Sequence, residues 1–246
     1  MARTLTLIHG DKGGVGKSLL ATTLADFLIT KNIGNRLIIV DADQRNPDVS
    51  RLFPEPDRSK RINLSVHDGW GELYDLIELE KDADILVNLP AGIGKEIGKE
   101  APTLKILLEE NQMKLVMYFP LDRLPDTVNL LRDATSDLLS LTKNNFVVVK
   151  NLYFSPNDEF DEFDESDVAK TLLAAKAKII TMPELPRAIS KTLAGSYHSQ
   201  NKRNAQRISQ YLLTKPPASL RLDLQKWESI MHSLFSSIHL QAPAKG

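Results

Sequence analysis

The chain reads as an α/β protein, a doubly wound and mostly parallel sheet of about seven strands with helices on both faces. Three observations predict this. Short runs rich in Val, Ile and Leu alternate with longer segments of helical period. The first apolar run is followed at once by a Gly-rich turn and then a helix. The 246 residues, 42% apolar and 26% charged, suffice for one large domain with a buried sheet.

The strands are expected at Thr4–His9, Leu37–Asp41, Ile62–Ser65, Ile85–Leu89, Leu115–Phe119, Phe146–Lys150 and Lys178–Met182. Helices are expected at Lys17–Lys31, Gly71–Leu79, Lys95–Asn111, Asp126–Leu141, Ser166–Ala177 and Leu185–Leu193. In the first helix, Leu19, Leu20, Thr23, Leu24, Phe27 and Leu28 form a stripe suited to packing on the sheet. Between a strand and a helix, Asn157–Asp167 holds seven acids and no base, which predicts an exposed loop whose last Ser or Asp caps the next helix. Phe160 and Phe163 within it are alternatively anchors for a partner. An EF-hand is excluded there by spacing and by the missing central Gly. Beyond Gly195 the character changes, and the Pro216-Pro217 break separates two helices. The second carries Leu220, Leu224, Trp227, Ile230, Met231, Leu234, Phe235 and Ile238, a stripe for docking on the core. Residues 1 to 195 are thus expected to form the principal domain, with residues 196 to 246 packed on it.

Composition excludes several chemistries. With no cysteine, disulfides, thiolate metal sites and iron–sulfur ligation fall away. No stretch approaches the roughly 20 apolar residues of a membrane span, and the chain is expected to be cytoplasmic. The net charge of -1 conceals an asymmetry: residues 168 to 246 hold 12 Lys+Arg against 3 Asp+Glu, and residues 1 to 167 hold 19 against 29. Such polarity suits an anionic partner.

The segment Lys12–Ser18 reads K-G-G-V-G-K-S. In the pattern G-x-x-x-x-G-K-[ST], inward-facing backbone N–H groups cradle phosphates, the lysine reaches the β and γ phosphates, and the hydroxyl ligates Mg²⁺. Gly16, Lys17 and Ser18 fill the last three places, while Asp11 stands where the strict pattern has Gly. Gly13, Gly14, Val15, Gly16, Lys17, Ser18 and Leu19 are therefore the expected nucleotide contacts, with ATP and Mg²⁺ as cofactors.

This loop resembles the deviant Walker A loop of the ParA/MinD family of partitioning and positioning ATPases, and the resemblance extends from Thr4 to about Gly195. It implies that Lys12 crosses a homodimer interface to the partner's nucleotide. In I-I-V-D-A-D it implies that Asp43 positions the attacking water and that Asp41 assists around Mg²⁺; the competing reading is that these aspartates cap the turn. In D-I-L-V-N-L-P-A-G, Asn88 occupies the place of the family's Walker B Asp, so it would meet Mg²⁺ through water without charge, and Gly92 would offer its N–H to the γ-phosphate. Toward the base, Asn151 and Pro183 match the family's adenine-contacting positions. The basic residues Lys191, Lys202, Arg203, Arg207, Lys215 and Arg221 form the candidate face for nonspecific DNA.

The implied function is a slow ATPase that switches from monomer to ATP-sandwiched dimer, with a second protein that stimulates hydrolysis. Two alternatives stand beside it: a nucleotide-gated accessory protein of conjugative transfer or secretion, and an ATP-dependent amide-forming synthetase. Lys12 argues against the synthetase, and Asn88 favours the accessory protein. A membrane role of the MinD kind is disfavoured by the mixed charges of the last helix.

Overall fold

The computed structural model describes residues 3–33, 36–187, 189 and 206–240. Seven parallel strands, β1 (Thr4–Ile8), β2 (Arg36–Asp41), β3 (Ser59–Arg61), β4 (Ala83–Asn88), β5 (Lys114–Leu121), β6 (Phe146–Asn151) and β7 (Lys178–Met182), form one sheet in the order β3-β2-β4-β1-β5-β6-β7. Strand β1 is central, and the winding reverses there, which opens a crevice at the carboxyl ends of the strands. Register sets Ile8 beside both Asn88 and Tyr118, and Asn88 beside Asp41. The loop after β1, the end of β4 and the end of β2 therefore meet at one level.

Both faces of the sheet are covered, as a parallel sheet requires. One face is packed by α3 (His67–Leu79), α4 (Gly94–Glu110), α5 (Pro125–Thr142), the short α6 (Asp161–Asp164) and α7 (Asp167–Ala174). The other is packed by α1 (Lys17–Thr30), α2 (Asp48–Leu52), α8 (Ile208–Leu213) and α9 (Ala218–His239). Helix α9 docks through Leu224, Trp227, Met231 and Phe235, all buried, while Ile230 of the expected stripe is 40% exposed. The Phe235 ring lies 5.5 Å from Phe27 of α1, and the Trp227 indole N–H donates to the Pro183 carbonyl at 2.8 Å. Among the described residues no helix is long and apolar enough to cross a membrane.

Three expectations are corrected. The third strand is Ser59–Arg61, and Ile62 and Leu64 are buried in the connection that follows it. Helix α3 starts at His67, ahead of Gly71, because Gly69 lets the helix press against the Asn63 carbonyl, where a Cβ would stand only 1.9 Å from that oxygen. The acidic segment is exposed at all seven acids, as expected, but it contains the helical turn Asp161–Asp164, buries Phe160 and Phe163, and is tied to β6 where Lys150 pairs with Asp158 at 3.5 Å and Asp164 at 2.8 Å. Those two rings are core, not partner anchors. Ser166 accepts from the Ala169 N–H at 3.1 Å and caps α7. The helix expected over 185–193 lies largely outside the described residues.

Candidate nucleotide site

The loop between β1 and α1 occupies the crevice at the switch point. Gly14 (φ 80°) and Gly16 (φ 104°) take left-handed conformations that side chains resist. At Gly16 a Cβ would also stand 2.7 Å from the Asn151 amide nitrogen. Helix α1 opens from Gly16 without a side-chain cap and with no acid in its first turn. Its leading N–H groups and the positive end of its dipole are thus left for an anion.

Lys17 begins that helix, and its buried ammonium donates to the Lys12 carbonyl at 2.9 Å, lying across the loop. Burial lowers its pKa to about 8, against the opposing pull of Asp43 and Asp11. Lys12 leaves the loop in the other direction and pairs with Asp122, just beyond β5, at 2.8 Å. Burial pushes the Asp122 carboxyl up, but hydrogen bonds from Lys12, Thr127 and the Leu124 N–H (2.9 Å) outweigh it and hold the group below the usual range. Within one chain, the signature lysine therefore has a carboxylate partner.

Asp41 is fully buried at the end of β2. Its Oδ2 accepts from the Ser50 N–H at 2.8 Å and its Oδ1 from the Asn88 amide at 3.2 Å. Desolvation raises its pKa against those hydrogen bonds. Asn88, likewise buried, keeps its Oδ1 without any hydrogen-bond partner. Asp43 uses Oδ1 to accept from the N–H groups of Arg45 (3.0 Å) and Asn46 (2.9 Å), so the turn-capping role is real. Asp11, the departure from the strict phosphate-loop pattern, acts twice. Its carbonyl accepts from the Gly92 N–H at 2.9 Å, and its carboxylate accepts from the Gly94 N–H at 2.8 Å, capping α4. The Gly92 N–H expected to face a γ-phosphate is thus already engaged.

The residues expected on the base side are Asn151 and Pro183. Asn151 is buried beneath the phosphate loop, donating to the Val15 carbonyl at 3.0 Å and accepting from the Tyr153 N–H at 3.1 Å. It braces the loop. An open cleft of about 790 Å³ beside Lys12, Gly13 and Gly14 is instead lined by Tyr153, Phe154 and Arg187 among others, and neither Asn151 nor Pro183 is among its lining residues. Of the basic candidates, Arg207 has only 15% of its side chain exposed; it approaches Asp26 at 3.9 Å and lies over Phe53 at 5.1 Å, so it belongs to the fold. Lys215 is exposed and Arg221 half-buried, while Lys191, Lys202 and Arg203 lie outside the described residues.

Sequence reasoning missed Asp11 and Asp122 as site residues. Asp122 stands just past a strand end, the same signal that marked Asp41. Asp11 is marked locally only as a departure from the strict pattern, and its partners Gly92 and Gly94 lie on another loop.

The residues fit a magnesium nucleotide. Among the described residues no group of three acids or histidines could enclose a metal. Mg²⁺ is ordinarily held by phosphates, one or two side chains and several waters, and the Asn88 oxygen is an acceptor awaiting a donor.

A seven-stranded parallel sheet with a glycine-rich loop opening a helix at its switch point is the fold of the MinD-like P-loop NTPases. The chain superposes on the MinD cell division protein of Aquifex aeolicus with a TM-score of 0.52 at 18% identity, covering 99% of this chain and 100% of that one. It is 27% identical over 229 residues to Protein MobD of Acidithiobacillus ferrooxidans, 93% of this chain and 95% of that protein. No family model matches the chain.

Proposed function

We propose that the protein is an ATP-binding, slowly hydrolysing ParA-like ATPase that ATP converts from monomer to sandwiched homodimer in order to position DNA or another cargo. The observation that supports this best is the loop itself: two lysines on one glycine-rich turn, one lying across it and one reaching out of it. Triphosphate would take the ammonium of Lys17 from the Lys12 carbonyl, a neutral acceptor, to a charged one. Lys12 would exchange Asp122 for the partner subunit's nucleotide. The exchange of one anion for another leaves a small net preference, which suits a switch.

Mg²⁺, when bound with the nucleotide, would neutralise phosphate charge; Ser18 would ligate it, and Asp41 and Asn88 would meet it through water. Asp43, with Oδ1 spent on the turn, retains Oδ2 to orient water. The neutral Asn88 amide supports the slow-turnover reading and also favours the second one, a nucleotide-gated accessory protein of conjugative transfer or secretion. The DNA face would rest on Lys215, Arg221 and the basic residues between 190 and 205, without Arg207. Its binding would be through phosphates and would fall steeply with salt. A second protein that stimulates hydrolysis completes the proposal.

The test is to measure molecular size with ATP, with ADP and without nucleotide, together with retention on duplex DNA, for wild type, Lys12→Ala and Asp122→Asn. Dimer only with ATP, lost in Lys12→Ala and reached at lower ATP in Asp122→Asn, is the expected result. DNA retention confined to the dimer supports positioning; a dimer that ignores DNA supports the accessory reading. A monomer under every condition refutes both.

A further inference from the structure

Asn88 ends β4 between β1 and β2, in register with Ile8 on one side and Asp41 on the other. An amide carries its donor at one end and its acceptor at the other. With Nδ2 given to Asp41 Oδ1 at 3.2 Å, Oδ1 is directed away from that carboxylate. Reversing the amide would set oxygen against carboxylate oxygen, so Asp41 fixes the orientation. Asp41 is itself fixed, since its second oxygen accepts the Ser50 N–H at 2.8 Å. The remaining Asn88 oxygen is buried and unpartnered. An unpartnered buried acceptor is destabilising, and a donor brought by a ligand would offset that cost.

Resting on the nucleotide reading above, we infer that the magnesium site of this chain carries its carboxylate on β2 rather than on β4. Asp41 supplies the negative charge and orients Asn88, and the Asn88 oxygen accepts a hydrogen bond from a metal-bound water. The two residues form a matched pair holding one charge. An Asp at position 88 would put a second buried carboxylate against Asp41, where like charges cannot both stay ionised without a cation between them.

The experiment is binding of a fluorescent ADP in Mg²⁺ and in EDTA, with thermal melts in both. It compares wild type, Asn88→Ala, Asn88→Asp and the exchange Asp41→Asn/Asn88→Asp. Binding in EDTA reads the phosphate loop alone, so the Mg²⁺ dependence of each protein is taken relative to its own binding in EDTA. The apparent Mg²⁺ affinity of Asn88→Ala should fall about 10–100-fold, as for other groups that hold a metal's water shell. Asn88→Asp should melt below wild type in EDTA and recover with Mg²⁺ and ADP. The exchange variant should regain wild-type melting in EDTA and bind Mg²⁺ at least as well, because one carboxylate again faces one amide. Unchanged Mg²⁺ dependence in Asn88→Ala, or an Asn88→Asp protein that melts like wild type in EDTA, overturns the inference. Absence of ADP binding by wild type in either buffer overturns the nucleotide reading beneath it as well.

Discussion

At the scale of single residues, each lysine of the site is already engaged before any ligand arrives. Lys12 has Asp122, Lys17 has a carbonyl and the more distant Asp43 and Asp11, and Asp41 has neutral donors only. His9, buried beside the loop with an unpartnered Nδ1, is held neutral by desolvation, its pKa lowered to about 4. Lys17 is the titrating member with a functional consequence. Its ammonium gives way near pH 8 in the folded chain, against 10.5 in the unfolded one. Between those values the unfolded chain binds the extra proton, so stability of the ligand-free protein should rise with pH there. Affinity for ATP should move the opposite way, falling about tenfold one pH unit above the folded pKa because phosphate needs the ammonium. Labelled-ATP binding from pH 7 to 9.5 checks this, and Lys17→Arg, charged throughout, should flatten the profile.

At the scale of elements, the phosphate loop is joined to the loop after β4 through Asp11. Replacing Asp11 by Gly restores the strict motif but removes the carboxylate that caps α4. The Gly92 N–H keeps its bond to the residue 11 carbonyl, whereas the Gly94 N–H loses its acceptor. Asp11→Gly should therefore cost about 1 kcal/mol, with hydrogen exchange rising at Gly94 more than at Gly92. Equal or unchanged exchange at both would show that the cap has no effect. This link spans 83 positions in sequence, and no local pattern announces such a contact. What periodicity does announce is the strand or helix whose own side chains face a core, as in β7, whose expected and observed bounds are both Lys178–Met182. β3 was missed because its three residues are polar and partly exposed at a sheet edge, while the buried Ile62 and Leu64 beside it carry the apolar signal. The start of α3 is hidden because Gly69 and Gly71 weaken the helical pattern, and the close approach to the Asn63 carbonyl explains Gly69 alone.

At the scale of the whole molecule, the charge polarity of the sequence becomes a difference between the faces of the sheet. The acid-rich stretch from α3 to α7 covers one face, and the C-terminal helices cover the other with mixed charges. That second face is fastened where Asp26 of α1 accepts from the Ser209 N–H at 2.9 Å and its hydroxyl at 2.7 Å, with Arg207 alongside. The position of Arg207 in sequence suggested a phosphate contact; its packing on Phe53 and Asp26, set by tertiary structure, does not. Arg207→Ala should lower stability by about 1–3 kcal/mol in denaturant titration, since it strips a buried carboxylate of its cation. It should leave any DNA retention of the ATP-bound protein unchanged.

The roles proposed for Lys12, Lys17, Asp41, Asp43 and Asn88 require that the loop at the switch point of the sheet bind MgATP. Calorimetric titration of ATP with Mg²⁺ into wild type and Lys17→Ala tests it most directly, with circular dichroism melts to show that both are folded. Saturable binding by wild type that weakens at least about 100-fold in Lys17→Ala, as the loss of a charge-assisted phosphate contact of roughly 3 kcal/mol requires, is the predicted result. A folded wild type that takes up no ATP, or a Lys17→Ala protein that binds it equally well, would contradict the account.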